Sequence, residues 1–387
     1  MPSSFSFDTV KQITCAAGSR HQLGEHCEQL GLSKVMFVTD PGIVQHQLNQ
    51  AALESLDKAN IEYTIYDQVL ADPPDHIILS AVELAKSKNI NGVIGYGGGS
   101  SMDVAKLIAI LANPEQNQTL DKIYGVGNIQ GQRLPLIQVP TTAGTGSEVT
   151  CVAIVTTGET TKMGVVSPVL YADLALLDAE LTTGLPPIVT AATGIDAMVH
   201  AIEAYTSVHK KNLYSDMLAK QALVLLDQNL QTAIHKGNNL SARQNMLFGA
   251  MLAGQAFANS PVAAVHALAY PLGGHYHISH GLSNALVLCE VIRFNLSHAA
   301  HHYAELMLIL NPAAQGSELE LANQLIDRLE QHIIDSGLPR RLYELKIPEQ
   351  DLEMLARDAM LQTRLLVNNP REVTQADALA IYQAVYA

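Results

Sequence analysis

The sequence predicts an α/β domain built on a parallel sheet, followed by an all-helical domain. Short apolar, β-branched runs alternate with helix-period segments through the first half, the pattern of a parallel sheet covered by helices on both faces. Two of those runs lead straight into loops rich in glycine and hydroxyl residues. At Gly184-Leu185-Pro186-Pro187 turn residues cluster, and beyond them long segments carry apolar residues three and four apart. The boundary is therefore expected near Pro186, with domains at 1–185 and 186–387.

In chain order, Val35 to Thr39 reads as a strand that ends in the turn residues Asp40-Pro41-Gly42. IEYTIYDQVL from Ile61 reads as a second strand. Ile77, Ile78, Ala81, Val82, Leu84 and Ala85 then recur at helix period, predicting a helix that stops near Lys88-Asn89. Gly92 to Tyr96 is a third strand, LPLIQVP from Leu134 a fourth, and LALLD from Leu174 a later one. Past the boundary, helical spacing covers Ile188 to Thr206, Asn212 to Ala233, Ser241 to Asn259, Leu282 to Asn295, Glu318 to Ser336 and Ala376 to Tyr386.

A chain of 387 residues exceeds one ordinary core, and with 48% hydrophobic and 16% charged residues it supports a large buried interior and excludes wholesale disorder. The formal charge of -14 opposes broad contact with phosphate backbones, so nucleic acid is not an expected partner. No apolar run reaches the roughly 18 residues that a membrane helix needs. The start has no basic stretch followed by an apolar run, and the four cysteines are scattered without a CxxC pair. These features lead to the expectation of a cytoplasmic protein with reduced thiols and no membrane partner.

The first loop, GGGSSMDVAK from Gly97 to Lys106, follows the third strand. Glycines let backbone N–H groups approach an anion, and a helix N-terminus adds partial positive charge, so a pyrophosphate fits this loop, which equally reads as a plain tight strand-to-helix turn. Ser100 or Ser101 is expected to cap the helix, with Asp103 as reciprocal partner in a capping box. The second loop, PTTAGTGSE from Pro140, offers the hydroxyls of Thr141, Thr142, Thr145 and Ser147 to phosphate and ribose oxygens. Asp40, at the end of the first strand, can accept both hydroxyls of an adenosine ribose and would repel a 2′-phosphate, which favours NAD over NADP. It is equally the first residue of an Asp-Pro-Gly turn.

In TGIDAMVHAIE, from Thr193, Asp196 and His200 stand four residues apart, one helical turn, on a common face. Carboxylate oxygen and imidazole nitrogen are both ligands for a divalent cation. Further ligands are available downstream, where His266, His275, His277 and His280 fall within PVAAVHALAYPLGGHYHISHG.

GGGSSMDVAK, PTTAGTGSEVT, ATGIDAMVHAIEAY and VHALAYPLGGHYHISHG, in this order, resemble the iron-dependent (group III) alcohol dehydrogenases, including lactaldehyde reductases and 1,3-propanediol dehydrogenases. Ala175 to Asp178, Pro186, Thr193 to Asp196 and Glu203 match that family's first signature. The resemblance implies an α/β dinucleotide-binding domain with a parallel sheet and an all-α metal-binding domain, a dehydroquinate synthase-like plan. It implies a cation held by Asp196, His200, His266 and His280, iron(II) by the family's name, with zinc(II) accepted by the same ligands. It implies Gly97, Gly98, Gly99 and Ser100 around the pyrophosphate, Thr141, Thr142 and Thr145 from the second loop, Lys162 near a ribose, NAD from the acid at Asp40, and a homo-oligomer of two or more chains; Asp103 and Ser147, from the two loops themselves, complete the expected cofactor-binding set.

One departure concerns the proton. Many members carry a second histidine four residues after the third ligand, where this chain has Tyr270. Tyrosine, with an ordinary pKa of about 10, is a poorer proton carrier at neutral pH, so three readings stand: Tyr270 carries the proton with a lowered pKa, His277 and ordered water carry it, or Tyr270 only shapes the substrate pocket. The expected reaction is hydride transfer between NAD(H) and a small alcohol or diol and its aldehyde or ketone. Rival readings on the same plan are a glycerol dehydrogenase, a dehydroquinate-synthase-like lyase, whose phosphate-bearing substrate calls for basic residues that the motif segments lack, and a non-catalytic sensor.

Overall fold

Six short strands lie parallel in one sheet, in the spatial order β1 (Gln12–Cys15), β9 (Leu174–Leu177), β6 (Leu136–Pro140), β4 (Gly92–Gly97), β2 (Lys34–Val38) and β3 (Glu62–Tyr66). The computed structural model describes residues 4–158 and 161–387. Every residue of β4 and β6 is buried, which is why these strands read as continuous apolar runs rather than alternating ones. Helices α1 (Leu23–Gln29), α2 (Pro41–Gln45), α3 (Gln50–Lys58), α4 (Asp75–Ser87) and α5 (Gly99–Leu111) connect the strands. Leu23, Phe37, Leu56, Ile94 and Tyr96 anchor one apolar core of this unit.

All five strand expectations and the helix before β4 have counterparts here, as β2, β3, β4, β6, β9 and α4, with ends shifted by up to four residues. A second sheet was not expected. It places β5 (Gly125–Val126) parallel to β8 (Thr161–Val166), which pairs antiparallel with β7 (Val152–Thr157). Threonines at both strands' ends blur the period-two pattern, although Ala153 and Val155 are buried while Val152, Ile154 and Thr156 are less so. A short helix, α6 (Leu120–Ile123), precedes β5.

The remaining chain is helical: α7 (Pro187–Thr206), α8 (Leu213–His235), α9 (Leu240–Asn259), α10 (Ala264–Tyr276), α11 (His280–Leu310), α12 (Glu318–Ser336), α13 (Leu352–Ala359), α14 (Thr363–Leu366) and α15 (Gln375–Ala384). Helix α7 starts on Pro187, whose fixed φ suits the first helical position, and packs against α8, α9 and α11. Almost all of its residues from Thr190 onward are buried, so it is the axis of this unit. Two expectations change. Leu282 to Asn295 is only part of the 31-residue α11, whose continuation through the polar run SHAAHH hid its length. Helix α10 went unpredicted because it contains Pro271, which removes one N–H and reads as a helix breaker.

The described residues form two compact units. One comprises Asp8–Thr142 and Gly146–Thr183. The other comprises Gly184–Ala387, the residues up to Phe7 and, from the second glycine-hydroxyl loop, Ala143–Thr145. No helix among the described residues is long and apolar enough to cross a membrane.

Candidate functional site

In the helical unit, α7 presents Asp196, His200 and Glu203 at spacings of four and three residues, so the three side chains share one stripe. His266 lies in the first turn of α10, and His280 is the first residue of α11. One ligand atom from each of Asp196, His200, His266 and His280 lies within 4.8 Å of all the others. Nε2 of His266 stands 3.0 Å from Nε2 of His200 and 3.9 Å from the Asp196 carboxylate, and Nε2 of His280 stands 3.5 Å from that same carboxylate. Asp196, His200 and His266 are buried, whereas the His280 side chain is 36% exposed, so the cluster is open on that side.

The electrostatics suit a cation. Burial drives the His200 imidazole down to about 3, against the pull of Asp196, so it is neutral with a lone pair at physiological pH. Burial would raise the Asp196 carboxyl, but the three imidazoles and an Asn284 hydrogen bond outweigh it and hold it below the usual carboxylate range. Three imidazoles and one carboxylate whose lone pairs converge in a buried space lack a matching set of donors. A divalent ion satisfies all of them at once, and the donor set fits iron(II) or zinc(II).

Residues not singled out in the sequence complete the surroundings. Asn284, one turn after His280 on α11, donates Nδ2–H to Asp196 at 2.6 Å, and its Nδ2 lies 3.3 Å from Nε2 of His280. Its spacing of four from His280 was the available signal. Phe257 of α9 stacks on the His200 ring at 4.3 Å between centroids, and nothing in the sequence marked it. Of the other clustered histidines, His275 pairs with Asp358 at 2.8 Å, and His277 is exposed in left-handed backbone at the end of α10. The Tyr270 ring lies 6.0 Å from that of His280.

In the α/β unit, the segments expected to hold a dinucleotide follow three adjacent strands, β2, β4 and β6, at their carboxyl ends, where such sheets bind ligands. They touch. The backbone N–H of Thr141 donates to the Gly97 carbonyl at 2.9 Å. A side chain at Gly97, where φ is +155°, would meet the Ser101 hydroxyl at 2.6 Å and the Asp40 carboxylate at 3.2 Å. One at Gly98 would lie 3.8 Å from Thr142. The expected capping box is absent: Gly98 is the N-cap of α5 and no side chain caps it, so neither Ser100, Ser101 nor Asp103 does so. The first-turn N–H groups of this 13-residue helix are therefore left without a side-chain cap, an arrangement that can bind an anion.

Asp103 and Ser147 are engaged elsewhere. Asp103 accepts the Ser147 hydroxyl at 2.6 Å and the Ile154 N–H at 2.9 Å. Lys106, fully buried, donates to Ser147, Thr150 and the Val152 carbonyl. Burial lowers the Lys106 ammonium and raises the neighbouring Glu148 carboxyl to about 7. This network ties α5 to the segment leading into β7. Asp40 uses Oδ1 to cap α2 through the N–H groups of Gly42 and Ile43, leaving Oδ2 on the Gly97 side. Lys162 of β8 pairs with Asp72 at 2.6 Å and donates to Thr156. Thr145 belongs to the helical unit, beside Gly144, which lies close against Thr193 of α7.

A family profile described as Fe-containing alcohol dehydrogenase family, C-terminal, matches residues 190–386, and one described as iron-containing alcohol dehydrogenase matches residues 11–179. Long-chain-alcohol dehydrogenase 1 of Geobacillus thermodenitrificans is 40% identical over 373 residues, 96% of this chain and 94% of that protein. The 1,3-propanediol dehydrogenase of Klebsiella pneumoniae is 34% identical over 368 residues, 94% of each. The solved alcohol dehydrogenase of Oenococcus oeni has a TM-score of 0.94 at 33% identity, covering 99% of this chain and all of that one.

Proposed function

Because the chain belongs to the family of iron-containing alcohol dehydrogenases, we propose that it transfers hydride between NAD(H) and a small alcohol or diol, using a cation held by Asp196, His200, His266 and His280. The observation that carries this reading is the convergence of those four ligand atoms within 4.8 Å of one another, with Asp196, His200 and His266 buried and His280 partly exposed. When bound, the cation supplies Lewis acidity toward the alcohol oxygen and the nicotinamide accepts or returns the hydride.

The protein's own groups prepare both ends. Asp196 contributes the only negative charge among the ligands, and Asn284 holds its carboxylate in place at 2.6 Å. The uncapped first turn of α5 takes the pyrophosphate, and Asp40 Oδ2 accepts a ribose hydroxyl. Tyr270 bounds the space beside His280, and exposed His277 is the group through which the proton reaches water. The lyase reading would need free cations for a phosphate-bearing substrate, yet Lys106 is buried in its own network and Lys162 is paired with Asp72. Iron(II) is the assigned metal, with zinc(II) as its competitor. The four free cysteines accord with a cytoplasmic setting, and the family with a homo-oligomer of at least two chains.

The test is to strip the protein of metal, reload it with iron(II) or zinc(II), and follow NADH formation with ethanol, butanol, a long-chain alcohol, 1,2-propanediol and 1,3-propanediol. NADH is expected only in the reloaded protein. Absence of NADH with every alcohol and either metal would remove the proposal. Asp40→Gly is expected to move the NAD to NADP ratio of catalytic efficiency toward NADP by about 10-fold or more, since each 1.4 kcal/mol of lost discrimination is tenfold. An unmoved ratio would leave Asp40 as the cap of α2 alone.

A further inference from the structure

Both oxygens of the Glu203 carboxylate are engaged, and they are engaged by adjacent residues. Oε1 accepts the backbone N–H of Val265 at 2.7 Å, and Oε2 stands 2.6 Å from Nδ1 of His266. Val265 and His266 open α10, where first-turn N–H groups have no partner within the helix and where no side chain acts as N-cap. Glu203 fills that gap from α7, and its negative charge complements the helix terminus.

The hydrogen-bond roles at His266 follow from its neighbours. A carboxylate offers only lone pairs, so Nδ1 carries the ring proton and Nε2 is left with a lone pair. A second contact agrees: the Asn284 amide nitrogen, a donor, lies 3.4 Å from Nε2 of His266. Nε2 is also the atom turned toward His200 and Asp196.

We propose that Glu203 is a positioning residue that holds His266 as its Nδ1–H tautomer and thereby presents the Nε2 lone pair to the cation. The inference rests on the metal-site reading above. What makes it sharp is Val265. Its N–H can only donate, so whatever stands at position 203 must turn an acceptor toward it. In Glu203→Gln the amide oxygen goes to Val265 and the NH2 group faces Nδ1, which then has to accept. The ring proton moves to Nε2, and the lone pair that would hold the cation is gone. Glu203→Asp retains two acceptors on a shorter arm.

The experiment uses the full-length protein with 15N-labelled histidine, and reads the His266 tautomer by NMR in the metal-free state. Zinc(II) and cobalt(II) affinities are measured by chelator competition. The wild type is expected to show Nδ1–H at His266. Glu203→Gln is expected to show Nε2–H and to bind either ion about 10- to 100-fold more weakly, the usual cost of losing an outer partner of a ligating histidine. Glu203→Asp should keep the wild-type tautomer and recover part of the affinity.

An Nε2–H tautomer in the wild type overturns the proposal, and so does Glu203→Gln with unchanged metal affinity. Weak binding by Glu203→Gln with the Nδ1–H tautomer retained also overturns it, because Glu203 would then act through packing alone. Should Glu203→Gln not fold, the wild-type tautomer and Glu203→Asp decide. A wild type that binds neither ion refutes the metal site itself, whereas the tautomer measurement needs no metal, so the two failures are told apart.

Discussion

Replacing Asp196 by alanine is expected to give a folded protein that no longer retains a divalent cation and that has lost its turnover. Asp196 is the only anionic member of the four-residue cluster, and the remaining imidazoles would have to hold a double positive charge in a buried space without a counter-charge. The loss should exceed the roughly 100-fold that removal of an outer partner costs, because a direct ligand is gone. The fold should survive, since the substitution only shortens a side chain on a helix whose packing face is otherwise intact, and a buried carboxylate that burial alone disfavours disappears with it. Elemental analysis after dialysis, NADH formation and a thermal melt check the three parts. Full metal content with full turnover would end the assignment of Asp196.

Gly281→Ala is expected to be nearly as damaging, although Gly281 is not a ligand. A Cβ there would overlap the carbonyl oxygen of Ala192, come within 2.6 Å of its carbonyl carbon, and reach 3.3 Å from Cβ of Asp196. Those are mostly backbone atoms of α7, so nothing nearby can rotate away. Two opposed effects set the sign. Alanine is favoured over glycine by up to about 1 kcal/mol in a helix interior, and by less in the first turn where Gly281 sits. Overpacking against backbone costs about 1–3 kcal/mol, so destabilisation wins. The same push moves the start of α11, and with it His280, away from Asp196. Denaturant unfolding should show the stability loss and chelator competition a weakened cation. Unchanged values in both would mean that α7 and α11 separate more easily than their close approach implies.

Much of this was readable along the chain. Asp196 and His200 announce themselves because a helix places residues four apart on one face, and periodicity alone located most of α7, α8, α9 and α12. Strands β2, β4, β6 and β9 stood out as short apolar runs, since a parallel sheet buried on both faces has no polar alternation to confuse it. The β7–β8 pair and α10 did not, the first because threonines break its alternation and the second because Pro271 imitates a stop signal. Choosing His266 and His280 from four clustered histidines needed the family resemblance, as spacing left all four open.

By itself, the sequence determined the two kinds of secondary structure and which residue types are available for metal and phosphate chemistry. These are local properties, written in periods of two and 3.6 residues and in the turn chemistry between them. Only the tertiary structure decided which partners those residues have. It turned Asp103 and Ser147 inward to Lys106, divided the oxygens of Asp40 between α2 and the glycine turn, and set Glu203 and Asn284 against the imidazoles. The physical reason is that hydrogen bonds and ion pairs between residues tens of positions apart depend on how helices and strands pack, and a periodic pattern records which face is buried but not what that face meets.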